Sequence, residues 1–269
     1  MRAHALPHGY ARTRHPSHPA RAYPSRTGQA PGTHPRMASR TPCAQNRPME
    51  PVTLTTGRLV LRTVDSGDTG AVHAAAQDPD IQRWTTVPSP YLPEHALAFT
   101  SRLVPDGWAD NSMFTFGLFL ENGTVTGGDL AGMLAVTMRS PGVGEIGYWG
   151  TKEHRGRGHV TQAAVTVSHW AFTRLALDRI EWRAELGNTP SRAVAERAGF
   201  VVEGTLRSAI NNKGTWRDCW IGSMLPSDLG LPSTLPYLPG PDRPNDGDGD
   251  GGTNAGPGPG AQHGPRPGR

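Results

Sequence analysis

The sequence lacks most of the features that announce a protein class. Two cysteines, Cys43 and Cys219, are too few for a disulfide scaffold, and a reducing, cytoplasmic setting is expected. No apolar run approaches the roughly 20 residues a membrane-spanning helix needs. The charged N-terminus is followed by no apolar segment, which excludes a secretory signal. Eight prolines in the first 49 residues exclude the amphipathic helix of a transit peptide. There is no internal repeat, no Gly-Lys-Ser/Thr phosphate loop and no GxGxxG fingerprint. The five histidines ahead of His73 have no metal-ligand spacing. Asp246-Gly-Asp-Gly-Asp-Gly251 opens like a calcium loop, but Pro257 stands where the closing Glu belongs, so no metal is expected.

Acidic residues are missing from one place in particular. Residues 1–49 carry eight Arg and no Asp or Glu, whereas residues 50–228 carry 16 basic against 19 acidic residues. The net charge of +4 therefore belongs to the N-terminal stretch, and specific nucleic-acid binding by the folded part is not expected. Weak, salt-dependent contact of that stretch with RNA or anionic lipid is compatible with its charge. Residues 1–49 (Arg, Pro and His) and 229–269 (Gly and Pro) lack apolar periodicity and are read as disordered tails around one domain at 50–228. Met37 or Met49 is the expected start of the cellular protein.

Within the domain the pattern alternates between strand and helix. Arg58–Arg62 reads as a strand, Asp65 or Ser66 as a cap for a helix through Ala76, and a second helix runs from Pro93 to about Val104. Between them Ile81, Trp84, Val87 and Tyr91 punctuate a turn-rich segment that either lines a pocket or lids the core. Strands follow at 114–120, 132–138 and 144–149, then a helix bearing Val160, Ala163, Ala164, Val167, Trp170 and Ala171 on one side. A strand at 180–184, a short helix capped by Thr189-Pro190 and closed by Gly199, and strands at 200–203 and 216–221 complete the order. This predicts an α/β (α+β) fold with a mixed, strongly twisted sheet of six to seven strands and helices on both faces.

The stretch from Glu145 to Val167 organises the rest. It runs strand, loop, helix, with Gly156 and Gly158 in the loop and Lys152, Arg155 and Arg157 around them. Free N–H groups of a helix's first turn, approached by glycine backbone, suit an anion. Two glycines can equally make a plain turn, and the local pattern leaves both readings standing.

The run Ile146-Gly-Tyr-Trp149 followed by Arg155-Gly-Arg-Gly-His-Val-Thr-Gln-Ala163 resembles motif A of the GNAT N-acetyltransferases, Q/R-x-x-G-x-G/A. Thr56–Arg62, Asn188–Phe200 and Val202–Leu206 are similar, in the same order, to the branch of ribosomal-protein N-terminal (alanine/serine) acetyltransferases. The resemblance covers about residues 53–226. Val160 departs from it, standing where Gly or Ala is usual, where its branch could crowd a pyrophosphate.

The resemblance implies a splay between two central parallel strands and acetyl-CoA as cosubstrate. Backbone N–H groups of Gly156, Arg157, Gly158, His159, Val160 and Thr161 would hold the pyrophosphate, with Arg155 adding charge. The strand edge at Tyr148, Trp149 and Gly150 would pair with the pantetheine arm, and Asn188 would lie beside it. A primary amine, either a protein N-terminal α-amine or a small-molecule amine, would attack the thioester directly. Glu145 is the candidate proton acceptor, with an ion-paired strand residue as its alternative. Ser191 is the candidate proton donor to the thiolate, with a first-turn helix residue as its alternative; His159 is read as a backbone ligand. The segment 79–93 would shape the acceptor site of a monomer or homodimer. A non-catalytic acyl-CoA-binding or regulatory module on the same fold is the competing expectation.

Overall fold

The computed structural model describes residues 48–124 and 126–240; the expectations for the first 47 residues and for residues 241–269 lie outside it. Eight strands form one sheet: β1 (Leu54–Thr56), β2 (Leu59–Arg62), β3 (Met113–Leu120), β4 (Leu130–Ser140), β5 (Val143–Gly150), β6 (Arg179–Glu185), β7 (Val201–Asn212) and β8 (Thr215–Met224). Their order is β1-β2-β3-β4-β5-β6-β8-β7, and every neighbouring pair is antiparallel except β5–β6. The eighth strand is β1, three residues long, too short for alternation to reveal it. The β7–β8 hairpin runs further than its pattern suggested because much of it is exposed and carries no apolar alternation.

Six α-helical segments accompany the sheet: α1 (Thr69–Ala75), α2 (Pro79–Trp84), α3 (Pro93–Ala98), α4 (Val104–Ala109), α5 (His159–Arg174) and α6 (Thr189–Ala198). The turn-rich segment holds α2, a helix of six residues that periodicity cannot detect. Its local signals are nonetheless present: Asp78 accepts from the Asp80 N–H at 2.8 Å and Pro79 opens the first turn. α3 and α4 are joined by a π turn at Phe99–Leu103, so the helical run continues to Ala109 rather than stopping near Val104. The π turn ends two residues before Pro105 and takes up the break that a residue without an N–H imposes. α6 also begins one residue earlier in function than the sequence suggested. Asn188, not Thr189, is its cap, its Oδ1 accepting from the Ser191 N–H at 3.2 Å.

Strand register sorts the side chains onto two faces. Phe114, Val136, Ile146 and Trp182 form one buried row across β3, β4, β5 and β6. α5 covers that row through Trp170, whose ring lies 5.5 Å from Phe114 and 5.3 Å from Phe116, with Trp108 edge-on to both phenyl rings. Such rings bury about 150–250 Å² each, and truncating one to Ala costs about 3–5 kcal/mol. On the opposite face Arg62, paired in register with Gly117, holds Asp68 through two 2.8 Å bonds just ahead of α1. Packing continues past Asp228: Leu229 and Leu231 join the core, and Asp178 receives the N–H and hydroxyl of Thr234. Among the described residues no helix is long and apolar enough to cross a membrane.

Candidate active site

β5 and β6 pair in parallel for four residues only, from Val143↔Arg179 to Ile146↔Trp182. Beyond them β5 continues to Gly150 beside β4 alone, and β6 continues to Glu185 beside β8 alone. The sheet therefore opens from Gly147 onward. A Cβ added at Gly147, which is exposed, would meet nothing within 4 Å. The Thr151 N–H donates to Ala131 O at 3.0 Å, which fixes the antiparallel alternation: Glu145, Gly147 and Trp149 aim their main-chain groups at β4. Tyr148 and Gly150 aim theirs into the opening, and Gly150 O accepts from Arg155 Nε at 3.0 Å on that side. Of the three residues expected to offer a strand edge, Tyr148 and Gly150 face the gap. The Trp149 amide faces β4.

The loop lies at the mouth of this opening. A 3₁₀ turn at Lys152–His154 leads through extended Arg155 to Gly156 (φ +75°) and Gly158 (φ +79°), angles that L side chains rarely adopt. An added Cβ at either glycine would meet nothing within 4 Å, so the volume above the loop is free. Gly158 is the cap residue of α5 and brings no side chain to it. The first helical bond is Gln162 N–H to Gly158 O at 2.9 Å, leaving the N–H groups of His159, Val160 and Thr161 unspent. Val160 Cγ2 lies 3.2 Å from where a Cβ on Gly150 would stand, so its branch packs against the strand, in room that Gly150 leaves.

Around the loop the charges divide. Arg157 and Lys152 are exposed. Arg155 is engaged: Nη2 lies 2.8 Å from Asp78 Oδ2 in a charge contact, and Nη1 donates to Asp80 Oδ2 at 3.1 Å. His159 stacks edge-on to His154 at 6.4 Å. Burial, then the neighbouring charges of His154, Arg157 and Arg58, hold its pKa below the usual imidazole range, so its ring is neutral at pH 7.

On the far side of the gap Ser191 joins both diverging strands. Its Oγ lies 3.1 Å from Trp182 Nε1, which donates to it, and its main-chain carbonyl accepts from the Tyr148 hydroxyl at 2.8 Å. Burial pushes the Tyr148 phenol well above its ordinary pKa, so it stays a neutral donor. The Ser191 proton remains available to a further acceptor. Asn188, buried, caps the same helix and retains its amide N–H groups. Glu145 occupies the opposite face of the sheet, with Gly147 and Trp149. Arg139 grips both of its oxygens, at 3.0 and 2.9 Å, and Arg183 Nε stands 3.6 Å away.

Sequence reasoning missed the partners of these groups. Trp182 and Arg183 gave a signal only as the alternation Arg179-Ile-Glu-Trp-Arg-Ala-Glu185, which marks a charged face without naming what it meets, and Arg139, near the end of β4, gave none. It also missed the wall at the end of β6. Buried Glu185 receives Arg83 through bonds of 3.0 and 2.6 Å and Asn212 at 3.1 Å, while Lys213 donates to the Gln82 carbonyl. The Arg83 guanidinium holds the Glu185 carboxyl below the usual carboxylate range. Trp84, under the same guanidinium at 4.2 Å, reaches to 3.8 Å from the Cβ position of Gly187, beside Asn188. Among the described residues no cluster of three or more His, Cys, Asp or Glu could hold a metal.

A strand that parts from its parallel neighbour, with a glycine loop and an uncapped helix at the mouth, defines the class: residues 58–201 match the acetyltransferase (GNAT) domain family, and the chain belongs to it. Among its relatives is YdaF of Bacillus subtilis (strain 168), named "Putative ribosomal N-acetyltransferase", which is 34% identical over 135 residues, covering 49% of this chain and 72% of that protein. RimL, a ribosomal L7/L12 α-N-protein acetyltransferase solved with coenzyme A, superposes with a TM-score of 0.58 at 20% identity, over 65% of this chain and 98% of that one. RimJ of Mycobacterium smegmatis, solved with CoA-disulfide, gives 0.57 at 24% identity, over 68% and 88%. At these identities the two structures share the fold.

Proposed function

We propose that the protein transfers the acetyl group of acetyl-CoA to a primary amine, with protein N-terminal α-amines the acceptor class to test first. The observation that carries this is the opening beyond Ile146 with an uncapped helix start and a glycine loop free of side-chain crowding at its mouth. The N–H groups from Gly156 to Thr161 suit a diphosphate, with Arg157 adding charge. Tyr148 and Gly150 offer the edge along which an extended pantetheine arm pairs as an added strand would, and Asn188 supplies an amide donor further in. The coenzyme complexes of RimL and RimJ and the naming of YdaF support the cosubstrate and the acceptor class.

The thioester supplies the activated acyl carbon; the chain's residues position groups around it. The amine nitrogen bonds to that carbon as the C–S bond breaks, and the Ser191 hydroxyl, polarised by Trp182, gives a proton to the departing sulfur. The Arg139 fork engages both oxygens of Glu145, and Arg183 stands beside them. We therefore assign Glu145 to attracting and orienting the ammonium form of the acceptor, its proton leaving through water. Thiol release measured across a panel of peptide N-termini and small amines, with CoA affinity by calorimetry, tests the reading. Turnover confined to small amines overturns the acceptor class, and absence of CoA binding overturns the whole. For Glu145, the Gln variant should raise the acceptor KM and keep the pH–rate profile; a flattened profile would restore it as the base.

A further inference from the structure

The Arg of motif A is expected to add charge at the pyrophosphate, yet Arg155 turns the other way. Its guanidinium spans Asp78 and Asp80, the cap and first turn of α2, while its Nε holds Gly150 O at the end of β5. One side chain thus ties three pieces: the strand bordering the gap, the glycine loop, and the helix carrying Trp84 to Gly187. α2 is held at its other end too, by Arg83 on Glu185 and by Lys213 on the Gln82 and Thr85 carbonyls. Asp78 is nearly buried, whereas Asp80 is exposed, so the pair places two carboxylates beside a loop suited to a diphosphate.

We propose that Arg155 is a positioning residue: it masks Asp78 and Asp80 and couples the cofactor loop to α2, the wall of the acceptor site, rather than acting as a phosphate ligand. The proposal rests on the acetyl-CoA reading above. A bound diphosphate fixes the loop from which Arg155 projects, which fixes the anchor of α2. By linkage a docked α2 returns the same factor to coenzyme affinity. If Arg155 lets go, two unmasked carboxylates repel the anion at the loop mouth. Partly exposed ion pairs imply a modest coupling, roughly twofold to fivefold.

The test uses the full chain and CoA as the probe, with calorimetry for affinity and hydrogen exchange for order. Four forms are compared: wild type, Arg155→Gln, Asp78→Asn with Asp80→Asn, and all three changes together. Asn caps a helix as well as Asp does, so α2 keeps its start. Arg155→Gln should weaken CoA roughly threefold. Removing both carboxylates in the same chain should bring affinity back to within about twofold of wild type. CoA should slow amide exchange at residues 79–85 in wild type and not in Arg155→Gln. A triple variant that binds as weakly as Arg155→Gln makes Arg155 a direct ligand and overturns the proposal. Protection at 156–161 with none at 79–85 overturns the coupling alone. Wild type without protection at 156–161 overturns the acetyl-CoA reading and the inference with it.

Discussion

The two banks of the gap are built from different materials. The β5 bank is backbone: an unpaired strand edge, two glycines with positive φ, and the free N–H groups of α5. The opposite bank is made of side chains that meet across long stretches of chain. Arg83 reaches Glu185, Asn212 and Lys213 reach α2, and Arg155 crosses from the loop to Asp78 and Asp80. A backbone site holds one geometry and suits a constant ligand. A wall of side chains can be rebuilt residue by residue without disturbing the fold, which suits a variable acceptor.

The comparison can be broken most severely on the backbone bank. Gly158→Val forces a β-branched residue into φ +79° and fills the mouth of the loop, and kcat/KM for acetyl-CoA should fall about 100-fold. An unchanged value would mean that loop shape is not what binds. Next, Ser191→Ala should lower kcat about tenfold with CoA affinity unchanged. It also leaves buried Trp182 Nε1 without its acceptor, a cost of about 1–3 kcal/mol seen in Tm. Trp182→Phe separates the two effects, since it removes that donor and should keep kcat within about threefold of wild type.

Changes on the other bank should be milder and act on stability and acceptor KM. Arg83→Ala leaves Glu185 buried with Asn212 as its close partner and should destabilise by about 1–2 kcal/mol at pH 7, Arg83 being half-exposed. Because Arg83 holds the Glu185 pKa down, this stabilisation is complete above the ordinary carboxylate pKa and is lost as pH falls through the folded value. The difference in Tm between wild type and variant should therefore shrink on acidification below about pH 4. Lys213→Ala is the smallest change, within about 0.5 kcal/mol, with faster amide exchange in α2 as its signature. A fall in kcat/KM for acetyl-CoA as large as that of Gly158→Val would erase the distinction between the banks.

The same difference governs what could be read in the sequence. Strand, glycine loop and helix start lie within Glu145–Val167, so their geometry follows from neighbours; the parting of β5 from β6 was expected only through the family resemblance. Asn188 and Ser191 are also local to one helix start. The Arg155 contacts were not legible, because Asp80 lies 75 positions away and only the folded sheet brings it close. Arg83 and Glu185 are separated by 102 positions, and α2 itself is too short to have a period. Glu145 marks the boundary. Its place on β5 was evident, but the Arg139 fork depends on the β4–β5 register across the turn that joins them.

The four parallel pairs between β5 and β6 have a mechanical meaning as well. They are a seam between a five-stranded and a three-stranded half-sheet, and above Ile146 the main chain does not cross it. α5 and α6, with the Tyr148–Ser191–Trp182 bonds, brace that seam on one face, and Arg183 stands 3.6 Å from Glu145 across it on the other. An extended ligand lying in it would work as a stitch. The two halves should therefore exchange amide protons as separate cooperative units when empty, and as one unit when the seam is filled.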